Sequence, residues 1–295
     1  MFAHMTDLLA AAEGAAASGG LDAALGKLRA LSLDDFGVLL LQMPNPEYPA
    51  LSAVLPRMSA EQVQRDWTGQ AGFPLLAQSL NFVRSVALRF QQLTGTPLGE
   101  APILDFGCGY GRLLRLMLHF SPPGQLWGVD PWDRSIEICR TDKVPAHLAI
   151  SDYLPRTLPV EETQRFRLIY AFSVFTHLSE RATRMALGTL RRYVAEDGML
   201  VITIRPREYW QVAASSGQSV DVPIDLTTRL REHDETGFTF IPHKRDAVEG
   251  DITYGDTSIT FDWLARHAPG WAVAGYDHTL DDFYQLIVYL RPVAG

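Results

Sequence analysis

A glycine-rich segment, Asp-Phe-Gly-Cys-Gly-Tyr-Gly-Arg at residues 105–112, constrains the fold of this 295-residue chain most strongly. It follows a hydrophobic strand pattern at residues 103–106 and precedes a helical pattern at residues 113–120. Glycines allow positive φ and let the backbone approach a ligand closely. The helix that follows directs its first amide N–H groups towards the turn. The segment therefore predicts a ligand-binding turn between a strand and a helix.

Two features of this segment indicate the kind of ligand. The fingerprint of dinucleotide-binding folds needs a third glycine at its sixth position, where this chain has Arg112. Asp105 lies at the end of the strand, two residues before the first glycine. A carboxylate in the floor of the turn repels a pyrophosphate but attracts an ammonium group. These features favour a ligand with an ammonium group over a dinucleotide.

Strand and helix patterns alternate from residue 102 onwards. The first five predicted strands lie at residues 103–106, 126–129, 146–150, 167–172 and 198–204. Continuous apolar runs of this kind are typical of parallel strands covered on both faces, and right-handed crossovers between them give a doubly wound α/β fold. Two further strand patterns, at residues 271–276 and 283–290, complete a mostly parallel sheet whose last strand is antiparallel.

The rest of the chain predicts two additions to this sheet. Residues 1–98 show helical patterns and predict an N-terminal helical cap, in which Ser59 and Gln62 form a capping box before a short helix that carries Trp67. Residues 99–295 form the main domain. Its alternation stops at residues 205–257, after the fifth strand, and connections of that length are usually functional. We expect this insertion to have some structure and to cover the substrate.

Composition excludes several classes of protein. The net charge of −8, without a stripe of Lys and Arg, argues against nucleic-acid binding. The apolar runs, such as that at residues 38–41, are too short to span a membrane. The two cysteines, Cys108 and Cys139, do not form a Cys-x-x-Cys motif, so we expect them to be reduced. The first residues lack a basic leader, so we expect a cytoplasmic protein. No metal site is predicted, and the oligomeric state stays open.

Several segments together carry a resemblance to one family. Residues 105–112 resemble the glycine-rich first motif of the class I S-adenosylmethionine-dependent methyltransferases. Residues 127–130 resemble their second strand, which ends in an acid that holds the ribose hydroxyls, and residues 151–155 resemble the segment bordering the adenine. Residues 166–178 resemble the fourth strand and the turn into the active site. The resemblance covers residues 101–204 and implies a Rossmann-like methyltransferase sheet with S-adenosyl-L-methionine as cofactor.

The resemblance also implies roles for single residues. Asp105 would engage the methionine ammonium, Asp130 would accept both ribose hydroxyls, and Trp132 would lie against the adenine. Arg112 would meet the carboxylate or face solvent. Alternatives from the residues alone stay open, since Asp130 could cap the next helix and Asp152 could serve a turn. The predicted cofactor-binding residues are Asp105, Phe106, Gly107, Cys108, Gly109, Arg112, Asp130, Pro131, Trp132, Ser151, Asp152, Tyr153, Phe172 and Ser173.

The predicted catalytic residues are His177, Tyr254 and His243. His177 follows the fourth strand, where ligands gather in α/β folds, and an imidazole there could act as a base. Its alternative role is to cap or pack against the next helix. The other two lie in the insertion, as does a further histidine, His233. Four cations could bind an anionic acceptor such as a nucleotide sugar, or could be ordinary surface charge: Arg205, Arg207, Lys244 and Arg245.

The resemblance implies methyl transfer to a small-molecule acceptor: a sugar, a glycan precursor or a secondary metabolite. Methyltransferases that act on nucleobase amino groups resemble one another in an Asn/Asp-Pro-Pro-aromatic motif. This chain has Phe-Ser-Val-Phe at the corresponding residues 172–175, which argues against methylation of nucleobase amino groups. Three alternatives stay open. The chain could methylate a protein or peptide in an open groove, bind S-adenosylmethionine without catalysis, or be an oxidoreductase that uses a nicotinamide cofactor.

Overall fold

The computed structural model describes residues 3–99, 101–216 and 224–294. Within them the chain forms two compact units, Met1–Ile150 and Ser151–Gly295. The predicted boundary at residues 98 and 99 lies inside the first unit, so the division into a cap and a main domain stays a prediction. Part of the predicted insertion, residues 217–223, lies outside the described residues. No helix in the described ranges is both long and apolar enough to cross a lipid bilayer.

Among its described residues, the first unit has five α-helices, followed by three strands that alternate with two further α-helices. Its elements are α1 (Thr6–Leu28), α2 (Leu33–Leu41), α3 (Pro49–Val54), α4 (Glu61–Thr68), α5 (Gly72–Thr94), β1 (Ile103–Phe106), α6 (Arg112–Met117), β2 (Leu126–Asp130), α7 (Asp133–Thr141) and β3 (His147–Ile150). The predicted helix at residues 113–120 is shorter than expected: α6 ends at Met117, and residues 118–120 form a turn.

The predicted capping box at the start of α4 is wrong. The N-cap residue of α4 is Ala60, which has no side chain that could accept a hydrogen bond. The Ser59 hydroxyl donates instead to the carboxylate of Asp142, which lies 83 residues further along the chain. Asp142 also pairs with the fully buried Arg115, at 3.1 Å. Ser59 therefore joins a buried ion pair.

The second unit contains the remaining strands and the segment predicted as an insertion. Its elements are β4 (Phe166–Ala171), α8 (Glu180–Tyr193), β5 (Val194–Ile204), α9 (Tyr209–Ser216), α10 (Leu226–Thr236), β6 (Phe238–Pro242), β7 (Gly255–Ile259), α11 (Phe261–His267), β8 (Trp271–His278) and β9 (Leu286–Pro292). The last strand starts three residues later than predicted, because a 3₁₀ turn occupies Leu280–Asp282.

Seven strands form one sheet in the order β3-β2-β1-β4-β5-β9-β8. The pairs β1/β2, β2/β3 and β4/β5 are parallel, whereas β9 is antiparallel to both β5 and β8. Every residue of β1 is buried, as expected for a strand covered on both faces. The sheet confirms the predicted doubly wound, Rossmann-like methyltransferase fold with its last strand antiparallel.

The insertion contains a second, two-stranded sheet. Strands β6 and β7 pair in antiparallel register, with Ile241 opposite Asp256 and Pro242 opposite Gly255. The backbone of β7 also bonds to the turn after β4: the amide of Gly255 donates to the carbonyl of His177 at 2.8 Å. The insertion therefore has structure of its own, and in the second unit it is fixed to the end of β4.

Candidate active site

The glycine-rich loop of the first unit has the backbone that its sequence predicts. Gly107, Gly109 and Gly111 have φ values of 79°, 53° and 74°, in the left-handed region that favours glycine. The amides of Gly107 and Cys108 donate to the carbonyl of Val129, at 2.8 and 3.0 Å. This pair of hydrogen bonds fixes the start of the loop to the end of β2, and Asp105 is buried in the strand that leads into it.

Asp130, the last residue of β2, accepts three hydrogen bonds within its own unit. One oxygen, Oδ1, accepts from the amide of Trp132 at 2.9 Å and from the hydroxyl of Ser135 at 2.8 Å. The other, Oδ2, accepts from the amide of Gly109 at 2.9 Å. Burial raises the pKa of Asp130, and these hydrogen bonds partly oppose that rise. Because a carboxylate has about four acceptor positions, one remains, on Oδ2.

Aromatic side chains surround the same loop. Trp67 of α4 stacks on Trp132, with ring centroids 4.9 Å apart and an interplanar angle of 18°. A Cβ placed on Gly109 would lie 3.4 Å from the Trp67 ring, so the indole is in contact with the loop backbone. The Tyr110 hydroxyl is buried and has no hydrogen-bond partner among the described residues. No local sequence pattern predicts the Trp67 contact, because Trp67 lies 42 residues before Gly109.

Two other loop residues have side chains directed into the protein. Nη1 of Arg112 donates to Gln78 at 3.0 Å and to Ser79 at 2.7 Å, both on α5. Cys108 is buried, and a hydrogen bond with the Cys139 thiol, together with burial, raises the pKa of its own thiol. A thiol of this kind is protonated at neutral pH and is a poor nucleophile.

The second unit contains the other predicted cofactor residues. Ser151 is buried, and its hydroxyl has no hydrogen-bond partner among the described residues. Asp152 is exposed, whereas Tyr153 and Phe172 are half-buried. Ser173 has φ of 59°, and its amide donates to Thr203 at 2.7 Å. Their role in binding stays a prediction.

The three predicted catalytic residues lie together in the second unit. The ring of His177 stacks on that of Tyr254, with centroids 4.8 Å apart and an interplanar angle of 6°. The His243 ring lies 6.3 Å from His177 and 5.5 Å from Tyr254, in edge-on orientations. His243 is placed there because its amide extends the β6/β7 ladder by donating to the carbonyl of Tyr254 at 3.1 Å.

A buried carboxylate, Asp256, connects this cluster. Oδ1 accepts from Arg205 at 2.5 Å and from the Tyr209 hydroxyl at 2.9 Å. Oδ2 lies 3.1 Å from Nε2 of His243. Burial opposes ionisation of Asp256, but the hydrogen bond from His243 and the charge of Arg205 outweigh it and hold the pKa of Asp256 well below its usual range. Burial raises the pKa of Tyr209, so its phenol stays protonated.

His177 is held in a neutral form. Nδ1 lies 2.7 Å from the carbonyl of Gly255, which can only accept, so Nδ1 carries the proton. Nε2 then presents its lone pair to Nη2 of Arg205 at 3.4 Å. Burial and the nearby Arg205 charge lower the pKa of His177 to about 3.

The remaining charged candidates in the insertion are engaged with the protein. Arg207 forms a bidentate pair with Asp234, at 2.7 and 2.8 Å. The Arg245 guanidinium lies over the Tyr254 ring, 4.2 Å from its centroid. His233 is buried, and Nδ1 lies 2.8 Å from the Ser258 hydroxyl. No group of three or more His, Cys, Asp and Glu side chains in the described part of the chain is arranged to hold a metal ion.

Residues 103–198 match a family model described as a methyltransferase domain. The matched segment runs from β1 into β5 of a sheet that has the strand order given above. Residues 103–198 therefore have the sequence features of a methyltransferase domain. This domain includes the glycine-rich loop, Asp130 and His177, whereas the insertion with His243 and Asp256 follows it in the chain. No curated protein sequence matches the chain.

Several solved structures are similar to the chain at low identity. The glycopeptide N-methyltransferase MtfA complexed with sinefungin is 15% identical and has a TM-score of 0.47, covering 71% of this chain and 86% of that one. An S-adenosylmethionine-dependent methyltransferase from Clostridium acetobutylicum is 11% identical with a TM-score of 0.48, covering 72% and 90%. Magnesium protoporphyrin IX methyltransferase from Synechocystis with bound SAH is 16% identical with a TM-score of 0.48, covering 79% and 94%.

Proposed function

We propose that the chain transfers the methyl group of S-adenosylmethionine to a small-molecule acceptor. The observation that carries this proposal is the glycine-rich loop of the methyltransferase domain, whose three glycines have positive φ and whose Gly109 amide is bonded to Asp130. When bound, S-adenosylmethionine supplies an electrophilic methyl group on a sulfonium. The protein's own residues must hold the two reactants in line and exclude water, which can supply much of the acceleration.

The described residues fit such a ligand. Asp105 provides a buried carboxylate for the ammonium group, in the strand that leads into the loop. Asp130 has one acceptor position left on Oδ2, so we propose that it binds one ribose hydroxyl instead of two. The buried hydroxyls of Tyr110 and Ser151 have no partner among the described residues, and an unpaired buried hydroxyl is costly unless a ligand or water satisfies it.

A small acceptor is favoured over a protein by the segments added to the sheet. In the first unit, Trp67 of the helical region lies against the loop and covers one face of Trp132. In the second unit, strand β7 of the insertion bonds to the turn after β4, and α10 packs against β6 and α9. Both additions reduce open surface, as expected for a covered pocket.

Both cysteines are free and buried, which suits the cytoplasmic location that we propose.

The test is the transfer of label from methyl-labelled S-adenosylmethionine into two separate fractions of a cell extract, one of metabolites and one of proteins. Label in the metabolite fraction, dependent on active enzyme, supports the proposal. Label confined to the protein fraction favours the alternative of a protein or peptide methyltransferase. If neither fraction accepts label although the cofactor binds, a non-catalytic binding protein is favoured.

A further inference from the structure

The two histidines of the second-unit cluster differ in which ring nitrogen carries a lone pair. Nδ1 of His177 faces only acceptors, the Gly255 carbonyl at 2.7 Å and Asp256 at 3.9 Å, so its lone pair is on Nε2. Nε2 of His243 faces Asp256 at 3.1 Å, so its proton is on Nε2 and its lone pair is on Nδ1. The structure therefore implies opposite tautomers for the two rings.

His177 is badly placed to accept a proton. The lone pair on its Nε2 already faces Nη2 of Arg205 at 3.4 Å. A proton at Nε2 would put two positive groups side by side, and no carboxylate in the described part of the chain accepts a hydrogen bond from that nitrogen. Arg205 cannot turn away freely, because its Nη1 donates to both the Thr176 carbonyl and Asp256.

His243 has the complementary arrangement. Its Nδ1 has no hydrogen-bond partner among the described residues, and its side chain is 17% exposed, so a ligand can reach the ring. Its Nε2–H donates to a carboxylate that two further donors, Arg205 and Tyr209, hold in place. An imidazole whose far nitrogen is fixed by a buried carboxylate is the arrangement that general bases use, because the carboxylate sets the tautomer and stabilises the imidazolium.

We propose that His243 is the general base of the methyl transfer, with Asp256 as its positioning residue, and that the acceptor carries a hydroxyl or amine N–H. This inference rests on the proposed function. The acceptor heteroatom forms its bond to the methyl carbon while the C–S bond breaks and leaves its electron pair on sulfur. The acceptor proton passes to Nδ1 of His243, and from the imidazolium to water. A carboxylate acceptor needs no base, so the dyad favours the other acceptors.

The charged and titratable groups around His243 are compatible with this role. The turn after β4 contributes neutral His177, and β7 contributes Asp256. Arg205, which follows β5, forms an ion pair with that carboxylate. On the segment that carries His243 itself, Arg245 lies over the Tyr254 ring and Lys244 is exposed.

The first test measures tautomers in the full-length protein without ligand. Histidine is labelled with ¹⁵N, and long-range ¹H–¹⁵N spectra are recorded at neutral pH, with signals assigned from His243→Gln and His177→Asn. The proposal predicts an Nε2–H tautomer at His243 and an Nδ1–H tautomer at His177. Asp256→Asn should change His243 to the Nδ1–H tautomer, because an amide N–H can donate to Nε2. The control variant Tyr209→Phe removes a donor from the same carboxylate and should leave the His243 tautomer unchanged. An Nδ1–H tautomer at His243 in the wild-type protein would overturn the proposal, even if Asp256→Asn fails to fold.

The second test uses labelled transfer into the metabolite extract. His243→Gln should lower transfer by roughly 10²- to 10⁴-fold, the range that general bases contribute, while binding of S-adenosylhomocysteine, measured by calorimetry, stays unchanged. The labelled product should survive mild alkali, because methyl ethers and amines do, whereas a methyl ester releases labelled methanol. Two results would contradict the inference but leave the proposed function standing. One is that His243→Gln transfers label as fast as the wild type, and the other is that mild alkali releases labelled methanol from the product.

Discussion

At the scale of single residues, hydrogen-bond partners decide what each ionisable group can do. His177 and His243 are the same residue type in one cluster, but Arg205 faces the first and Asp256 the second. Sequence position alone favoured His177, because it follows a strand of the central sheet. The carboxylate that distinguishes the two histidines lies 79 residues after His177, so only the structure could reveal it.

The neutral state of His177 predicts a pH dependence of stability. Its pKa falls from an ordinary value near 6.5 to about 3 on folding, so between these values the unfolded chain binds more protons. The free energy of unfolding should therefore fall as pH decreases through this window, by up to about 1.4 kcal/mol per pH unit from this residue. The lowered pKa of Asp256 acts in the same direction at the acidic end. Urea titrations from pH 7 to pH 4 measure this slope.

The control is His177→Asn, which keeps a donor for the Gly255 carbonyl but does not titrate. As pH decreases, the free energy of unfolding of this variant should fall less steeply than that of the wild type. The difference between the two slopes should correspond to the one proton that His177 binds in the unfolded chain. Equal slopes for the two proteins would show that His177 is not held neutral by the fold.

At the scale of secondary structure elements, the β6/β7 hairpin holds the proposed base and its carboxylate in register. A Cβ at Gly255 would lie 2.0 Å from the Ile241 carbonyl oxygen and 2.7 Å from the Phe240 ring. Gly255→Ala should therefore destabilise the protein by about 1–3 kcal/mol, the usual cost of overpacking, and disturb the histidine tautomers. Thermal melting measures the first effect and ¹⁵N-histidine spectra the second.

A matched control is Gly250→Ala, also within the insertion, where an added Cβ meets nothing within 4 Å. Because Gly250 has φ of 78°, this variant bears backbone strain without a clash. Its histidine spectrum should match that of the wild type. A normal spectrum and an unchanged melting temperature for Gly255→Ala would contradict the assigned hairpin register.

The central strands could be predicted from the sequence, whereas β7 could not. Strand β1 is an apolar run that ends at the glycine loop, and its bounds agree with the prediction. Strand β7 is equally buried but reads Gly-Asp-Thr-Ser-Ile, so hydropathy does not separate it from a loop. Its polar groups are satisfied inside the protein, as Thr257 donates to the Leu178 carbonyl at 2.6 Å and Ser258 accepts from Trp210 at 2.7 Å. Partners from distant segments make such a strand possible.

The candidate site shows the same division. The glycine loop and Asp130 were predicted because a local motif specifies them. The contact of Trp67 with Gly109 and the bonds of Asp256 join residues far apart in sequence, and no local pattern encodes them. The alternative role of Asp130 as a helix cap is wrong, because the N-cap residue of α7 is Trp132, and Asp130 accepts instead from the Trp132 amide and the Ser135 hydroxyl.

At the scale of the whole molecule, two compact units carry different parts of the proposed chemistry. The glycine-rich loop and Asp130, which we assign to the cofactor, belong to the first unit, and the cluster around Asp256 belongs to the second. The methyltransferase domain spans residues of both units. The central claim is that the chain binds S-adenosylmethionine. Binding of the cofactor can be measured without an acceptor, so this claim can be tested before the substrate is known.

Calorimetric titration of the full chain with S-adenosylhomocysteine is the most direct measurement. We predict binding of one molecule per chain, weakened by about 1–3 kcal/mol in Asp130→Asn, which loses a buried charged acceptor. Glu137→Gln, at an exposed carboxylate of the adjacent α7, should bind like the wild type, and NADH should give no heat. The absence of a binding signal with millimolar S-adenosylhomocysteine, or binding of NADH in its place, would contradict the account.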